Sequence, residues 1–442
     1  MRSAVRKAAL RDHESFELIP PSPKQLKLMS WWTPRSPYAD WDGIISDGSI
    51  RSGKTVGNII SFMTWSLETF SNERFILAGR SVGALERNVV DPLKKIMRSQ
   101  RRSVYHHRSG NWLLVGSNIY YLFGGRDERA KDDVAGITAA GALVDEVTRL
   151  PESFVKEVMN RCSVEGSKYF LNCNPGPPQH WFKTDWIDKA PDKRLLRLHF
   201  TMRDNAALSR SVRERYTRLY TGLWHKRYVL GLWVAASGVI FSMFDAEEHC
   251  QPTNDRMRRL GIDRWDSVVM GVDYGTQNPF ALGIYGLARS GGRRYAHKMG
   301  EYHYCGRDRG VQKTDSQYAD AVESFWRDYV SERPRAIVVD PSAASFITEL
   351  RARGWHVIPA DNDVEDGNRW HAQMLTSGRF SVDPTCQHSI AEYGAYTWDP
   401  KAQDRGEDKP LKENDHHMDE QRYVLYTMLA KRKAAKLGTI AR

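Results

Sequence analysis

Two groups of residues in this chain have the types and spacing to handle phosphate, and they lie in different halves. The first is Gly48-Ser49-Ile50-Arg51-Ser52-Gly53-Lys54-Thr55, which fits G-x-x-x-x-G-K-[ST] in full. Glycines let such a loop curl until its N–H groups face a phosphate, and the helix that follows adds its positive dipole end. Lys54 is then expected to bridge the β- and γ-phosphates of ATP, and the Thr55 hydroxyl to ligate Mg²⁺. The metal-orienting acid comes from Gly141-Ala142-Leu143-Val144-Asp145-Glu146, an apolar run ending in two carboxylates. Asp145 is expected to hold Mg²⁺ through water, and Glu146 to polarise the attacking water as general base. Upstream, the amide of Gln25 has the donor and acceptor to read an adenine edge. Asn172-Cys173-Asn174-Pro175 closes a later strand and brings Asn174 toward the γ-phosphate. Both amides are also residue types that ordinary turns use.

The second group is acidic. One β-type run ends in Val272-Asp273-Tyr274-Gly275, another in Asp340-Pro341-Ser342, and Asn414-Asp415-His416-His417-Met418-Asp419 opens the last helix. Asp415 and Asp419 are four apart and His416 and Asp419 three apart, so they share a helix face. Converging carboxylates repel one another, and divalent cations remove the repulsion. The expected ligands are Asp273, Asp340, Asp415 and Asp419, holding Mg²⁺ or Mn²⁺, with His416 an open alternative to Asp415. Two such ions roughly 4 Å apart activate water and stabilise the leaving oxygen of a phosphodiester. Taken singly, each acid is a common strand end, and Asp415 a plausible helix N-cap.

The elements that must position these groups follow from periodicity. Strands are predicted at 41–47, 74–79, 112–115 with 119–123, 141–145, 168–173 and 195–201, alternating with helices at 54–70 and 85–98, which argues for a parallel sheet. Three strands at 267–274, 281–287 and 294–304 come next. After them, helices at 314–329 and 344–353 alternate with strands at 335–340 and 356–359, and helices at 368–377 and 418–431 close the chain. That order is ribonuclease-H-like, and in it the first and fourth strands are neighbours. The predicted class is therefore α/β: a P-loop NTPase (ASCE-type) domain followed by a ribonuclease-H-like nuclease domain. The predicted divisions are an ATPase domain over 1–235 with a helical lid at 179–232, a linker at 236–263, the nuclease domain over 264–432 and a basic tail at 433–442.

Composition agrees without deciding. A length of 442 residues points to two or three units, and 41% hydrophobic residues is enough for real cores. The formal charge of +11 favours a polyanionic partner. Five scattered cysteines, with no C-x-x-C pair, argue for reduced thiols rather than a disulfide framework or zinc knuckle. No run approaches a membrane span, and the basic N-terminal residues lack the apolar stretch of a secretory signal.

A P-loop ATPase joined to a ribonuclease-H-like nuclease resembles the large terminase subunit of tailed bacteriophages, from about Pro20 to Ala430. Gln25, the loop 48–55, Asp145-Glu146 and Asn172–Asn174 fall in the family's order. Asp273, Asp340 and Asp419 follow, with Asp415-His416-x-x-Asp419-x-x-Arg422-Tyr423 the most suggestive ending. The resemblance implies a genome-packaging motor that hydrolyses ATP, translocates double-stranded DNA and cleaves concatemers. It further implies a homo-oligomeric ring, expected as a pentamer, on the portal protein of the procapsid in the host cytoplasm, together with a small terminase subunit. It also implies an arginine that reaches a γ-phosphate; Arg129 is the candidate in trans and Arg51 the candidate in cis. The alternative reading is a nucleic-acid-dependent ATPase or helicase without nuclease activity; a non-enzymatic scaffold with structural nucleotide is a further rival.

Overall fold

In the computed structural model, residues 19–275 and 278–430 are described, and they form two compact units. One runs to Arg218 and takes in Leu223–Ala235 with Arg405–Glu407; the other holds Leu219–Gly222, Ala236–Asp404 and the residues from Asp408 on. The predicted tail at 433–442 lies outside the described residues, as do the last two residues of the predicted nuclease domain.

The first unit is built on eight strands: β1 (Gly43–Gly48), β2 (Arg74–Gly79), β3 (Val104–His107), β4 (Trp112–Val115), β5 (Asn118–Gly124), β6 (Gly141–Val144), β7 (Lys168–Asn172) and β8 (Leu195–Phe200). Their order is β3-β4-β5-β2-β6-β7-β1-β8. From β5 to β8 every pairing is parallel, and β3-β4-β5 is an antiparallel meander on one edge. Both faces are covered, as parallel sheets require. Ile44, Phe75 and Phe170 enter the core beneath helix Lys54–Thr69, while their neighbours Ile45, Ile76 and Leu171 pack with Phe154 and Val158 of helix Glu152–Asn160. The strands are therefore continuous apolar runs. One strand, β7, separates the P-loop strand β1 from the acid strand β6, which is the ASCE arrangement, and all three end on the same edge.

The stretch 179–232, expected as a separate helical lid, departs from that expectation. It contributes β8, hydrogen-bonded along β1 from Gly43↔Leu195 to Gly48↔Phe200, so its first part belongs to the main sheet. Helix Arg210–Leu219, rich in arginine and burying no residue, has the character of an appended element.

The second unit has β9 (Ser267–Asp273), β10 (Phe280–Ser290), β11 (Arg293–Tyr304), β12 (Ala336–Val339), β13 (Val357–Pro359) and β14 (Phe380–Val382), in the order β13-β12-β9-β10-β11-β14. β9, β10 and β11 are an antiparallel meander, and β12 and β13 run parallel to β9. This is the ribonuclease-H-like order, with β14 added on the far edge. The segment 236–263 is no free linker. His249 bonds the Leu375 carbonyl, Gln251 N–H bonds Val382, and Thr253 bonds Asp383, tying this stretch to the sheet edge. Its polarity reads as a linker because those polar groups have partners only in three dimensions.

Candidate functional site

At the C-terminal edge of the first sheet, the loop 48–55 leaves β1 and enters helix Lys54–Thr69. Gly48 has φ 130° and Gly53 φ 86°, and a Cβ on Gly53 would stand 2.6 Å from the Gln25 amide nitrogen. Lys54 is buried and its Nζ donates to Gly48 O at 3.0 Å, Ser49 O at 2.6 Å and Asn174 Oδ1 at 3.2 Å. Burial holds its pKa down at about 8. Thr55 Oγ1 stands 3.4 Å from Asp145 Oδ1, and Asn172 donates to the same oxygen at 2.9 Å. Burial pushes the Asp145 carboxyl up, with Asn172 and Thr55 pulling it down. A buried carboxylate facing a hydroxyl is an oxygen pair that fits a hard cation. Glu146 has a left-handed backbone, φ 56°, fixed by its N–H to Asn172 Oδ1 at 3.3 Å. These groups line a cleft of about 500 Å³ together with Ile50, Arg51, Ser52 and Gly53.

Three sequence candidates are placed differently from one another. Gln25 spends its amide oxygen on Ser22 N–H at 2.9 Å, capping helix Pro23–Ser30, and leans on Gly53 from outside the cleft. The amide expected to read adenine is therefore committed in part to a helix cap. Arg51 does line the cleft, with its Nε on the Tyr216 hydroxyl at 3.0 Å. Arg129 is exposed and lines a separate cleft with Ser81, Arg126 and Asp133. Two further cleft residues, Arg87 and Asn88, have no counterpart among the sequence candidates. They follow β2 on a helix with no motif to mark them.

One buried carboxylate braces the loop from behind. Asp47 is fully buried beside Gly48 and accepts from Arg197 Nε at 3.1 Å and Nη2 at 3.0 Å, His199 at 3.1 Å and Trp233 at 3.0 Å. Burial alone would raise its pKa, but those donors hold it well below the carboxylate range.

In the second unit, β9 and β12 are paired with Val339 opposite Val272, so Asp273 and Asp340 leave the sheet side by side. Helix His416–Leu425 crosses them. His416 Nδ1 lies 2.8 Å from Asp273 Oδ2, and Tyr423 donates to Asp340 at 2.7 Å. Lys412 Nζ sits 3.1 Å from both Asp415 and Asp419, and Arg422 holds Asp419 at 2.9 Å. The four acids, His416, Lys412 and Tyr423 line one cavity of about 600 Å³. Burial pushes the Asp273 carboxyl up, and Asp419 and Asp415 add to it against the His416 hydrogen bond. The cavity thus gathers oxygen donors whose charge is met in part by Lys412 and His416, a donor set suited to hard divalent ions. Asp415 does not cap its helix through its side chain; that oxygen faces Lys412 instead. Sequence reasoning quotes Tyr423 only within the family-like ending, without a role, and does not single out Lys412. Tyr423 sits four residues after Asp419, a spacing that marks a shared face.

Residues 46–248 match the family described as terminase large subunit, T4likevirus-type, N-terminal. The large terminase of a thermophilic bacteriophage (crystal form 2) is 46% identical, with 93% of this chain and 99% of that chain covered and a TM-score of 0.87. The same phage protein in complex with ADP gives 46% identity, 92% and 99% coverage and a TM-score of 0.85. With ATP-γ-S the values are 45%, 92%, 99% and 0.84. Comparison with the curated proteins found no match. At that identity over nearly the full length, the chain belongs to the bacteriophage large terminase subunits, the ATPase–endonuclease motors of DNA packaging.

Proposed function

We propose that this terminase works through two separate cation-dependent sites, one breaking the ATP anhydride and one breaking DNA phosphodiesters. The proposed division is an ATPase module over 1–235 and a nuclease module over 264–432. The nucleotide site consists of 48–55 with Asp145, Glu146 and Asn174, and Thr55 and Asp145 would hold Mg²⁺. The nuclease site consists of Asp273, Asp340, Asp419 and Asp415, which would hold Mg²⁺ or Mn²⁺. Bound there, the ions neutralise phosphate charge at the first site and supply activated water and leaving-oxygen stabilisation at the second. The observation that carries the reading is the side-by-side exit of Asp273 and Asp340 beneath the helix of Asp419. That convergence disfavours an ATPase or helicase without nuclease activity.

The protein side of the mechanism follows from the contacts. Lys54 must trade the loop carbonyls for phosphate oxygens, and Asn174, now its partner, is placed to sense the exchange. Glu146, held by Asn172, is placed to take a proton from the attacking water. At the second site His416 orients Asp273 and Tyr423 orients Asp340, so that both carboxylates present fixed oxygens. Binding of ADP and ATP-γ-S by the thermophilic phage's terminase supports nucleotide use here. Arg51 is the candidate for γ-phosphate contact in cis, and Arg129, on another face, the candidate in trans from a neighbouring subunit. The partners we propose are double-stranded DNA held through its phosphates, the portal protein, a small terminase subunit and further copies in a ring, a pentamer in this reading. Packaging then takes place in the host cell, at the procapsid portal. No helix among the described residues is long and apolar enough to cross a membrane.

Plasmid cleavage in Mn²⁺ tests the pair of sites. Asp273→Asn and Asp340→Asn are expected to abolish cutting while ATP turnover persists. Undiminished cutting by both variants would place the nuclease elsewhere.

A further inference from the structure

Beside the carboxylate centre, three histidines from three elements come together. His303 is the last but one residue of β11, His388 the second of helix Gln387–Ala395, and His417 lies in the first turn of helix His416–Leu425. One ring nitrogen of each falls within 4.8 Å of the other two. His303 Nδ1 and His417 Nε2 are 3.2 Å apart. The ring centroids of His303 and His388 are 4.1 Å apart, and those of His388 and His417 are 5.6 Å apart.

We propose that His303, His388 and His417 form a site for a late first-row divalent cation, Zn²⁺ by its chemistry, separate from the carboxylate centre. Imidazoles select Zn²⁺ and its neighbours, whereas carboxylate sets take Mg²⁺ and Mn²⁺. Tetrahedral Zn²⁺ with Zn–N bonds of about 2.0–2.1 Å needs ligand nitrogens about 3.3 Å apart, which His303 and His417 already satisfy. His388 is exposed, and rotation of its side chain brings its nitrogen in and leaves a fourth position to water. Glu301 Oε2 lies 3.6 Å from His417 Nδ1, the atom facing away from the site, which is beyond hydrogen-bond distance. Glu301 is fixed by the N–H groups of His388 at 2.6 Å and Ser389 at 3.1 Å and by the Ser389 hydroxyl at 2.6 Å. Lys298 is 3.3 Å from the same Nδ1, but it also bonds Glu420 at 2.7 Å and Ser389 at 2.8 Å. A cation here would join β11 and two helices, fixing the start of the helix that carries His416 and Asp419.

The test is calorimetric titration of the chelator-treated full chain with Zn²⁺ in excess Mg²⁺, repeated with Co²⁺ for the visible spectrum of a four-coordinate ion. One Zn²⁺ per chain is expected, retained in Asp273→Asn/Asp340→Asn. Loss of a ligand should weaken binding by more than the roughly 10–100-fold typical of an outer-shell partner, both in His388→Ala, whose side chain is exposed, and in His303→Gln. Absence of Zn²⁺ uptake overturns the proposal. So does affinity that is unchanged in both histidine variants or lost in the aspartate variant.

Discussion

Lys298→Met should expose how the nuclease fold holds its last helix. Lys298 and Glu420 are both fully buried and 2.7 Å apart, one on the meander and the other next to Asp419. The Glu420 carboxylate fits where Gly271 and Gly283 leave room; a Cβ on either would stand 2.5 or 2.6 Å from its oxygen. Burial pushes Glu420 up to about 7 even with Lys298 beside it. Removing one partner of a buried pair costs about 3–5 kcal/mol. A ceiling exists because the orphaned carboxyl can take a proton, which at pH 7 costs about 4 kcal/mol for a group whose ordinary value is near 4.3. The sign follows: with its folded pKa above the unfolded one, Glu420 destabilises increasingly as pH rises from about 4.3 through the folded value. The defect of Lys298→Met should therefore shrink on acidification toward pH 5. Replacing both residues, as Lys298→Met/Glu420→Leu, should restore stability to near or above the parent, because neither charge is then buried. Native-state hydrogen exchange at Leu282 and Ile284, both fully buried on β10, reads this without assuming that the two units unfold together. The single variant should exchange roughly two to four orders of magnitude faster at those amides. A double variant as unstable as the two single ones summed would refute the account, because the charges would then be shown not to act as a pair.

Other consequences are simpler. Glu146→Gln should lower kcat for ATP by roughly 10²–10⁴ while nucleotide affinity, measured by equilibrium binding, stays near the parent value. Tyr423→Phe removes the Asp340 hydroxyl partner and should reduce Mn²⁺-dependent cutting less than Asp340→Asn does, by an amount corresponding to roughly 0.5–1.5 kcal/mol; equal losses would argue for a direct role of the phenol. DNA affinity should fall linearly with log salt, at about 0.9 per phosphate neutralised, and a flat profile would contradict grip through phosphates. Asp47→Ala strips Arg197, His199 and Trp233 of a shared acceptor and should lower the melting temperature of the first unit, with the usual loss of a few kcal/mol reduced because Arg197 and His199 are each more than a third exposed. An unchanged melting temperature would show that the brace is dispensable.

The nucleotide half is largely readable from sequence because its chemistry is local. Gly48, Gly53, Lys54 and Thr55, the residues proposed to meet phosphate, lie in one short loop and the helix start after it, and the apolar run ahead of Asp145 announces a strand buried on both faces. What escapes is non-local. Arg87 and Asn88 reach the cleft only because β2 lies beside β6, a neighbour relation that no short window contains. Gln25 reads as a free amide because its capping bond to Ser22 has the same sequence appearance as an unengaged side chain. Likewise 179–232 reads as a mostly helical lid although the strand expected at 195–201 lies within it; composition does not show that this strand pairs with β1 in the main sheet.

In the nuclease half, the acids are legible at strand ends and at a helix start, because Asp273, Asp340 and Asp419 each close or open an element. Their convergence depends on β9 and β12 being neighbours, and the ribonuclease-H-like strand order supplies that. Nothing comparable marks Lys298, which sits in the β11 run as one polar residue among several, or Glu420, one of three acids within six residues. A buried charge pair has no periodicity of its own; it is defined only by which partner ends up opposite. The same helix that offers Asp415 and Asp419 to the cavity sends Glu420 into the core against Lys298. The direction of the carboxylates proposed to hold the cations is thus set by a pair of residues that sequence pattern treats as surface, and for that reason the Lys298→Met/Glu420→Leu cycle tests how the site is built as well as how the fold is held.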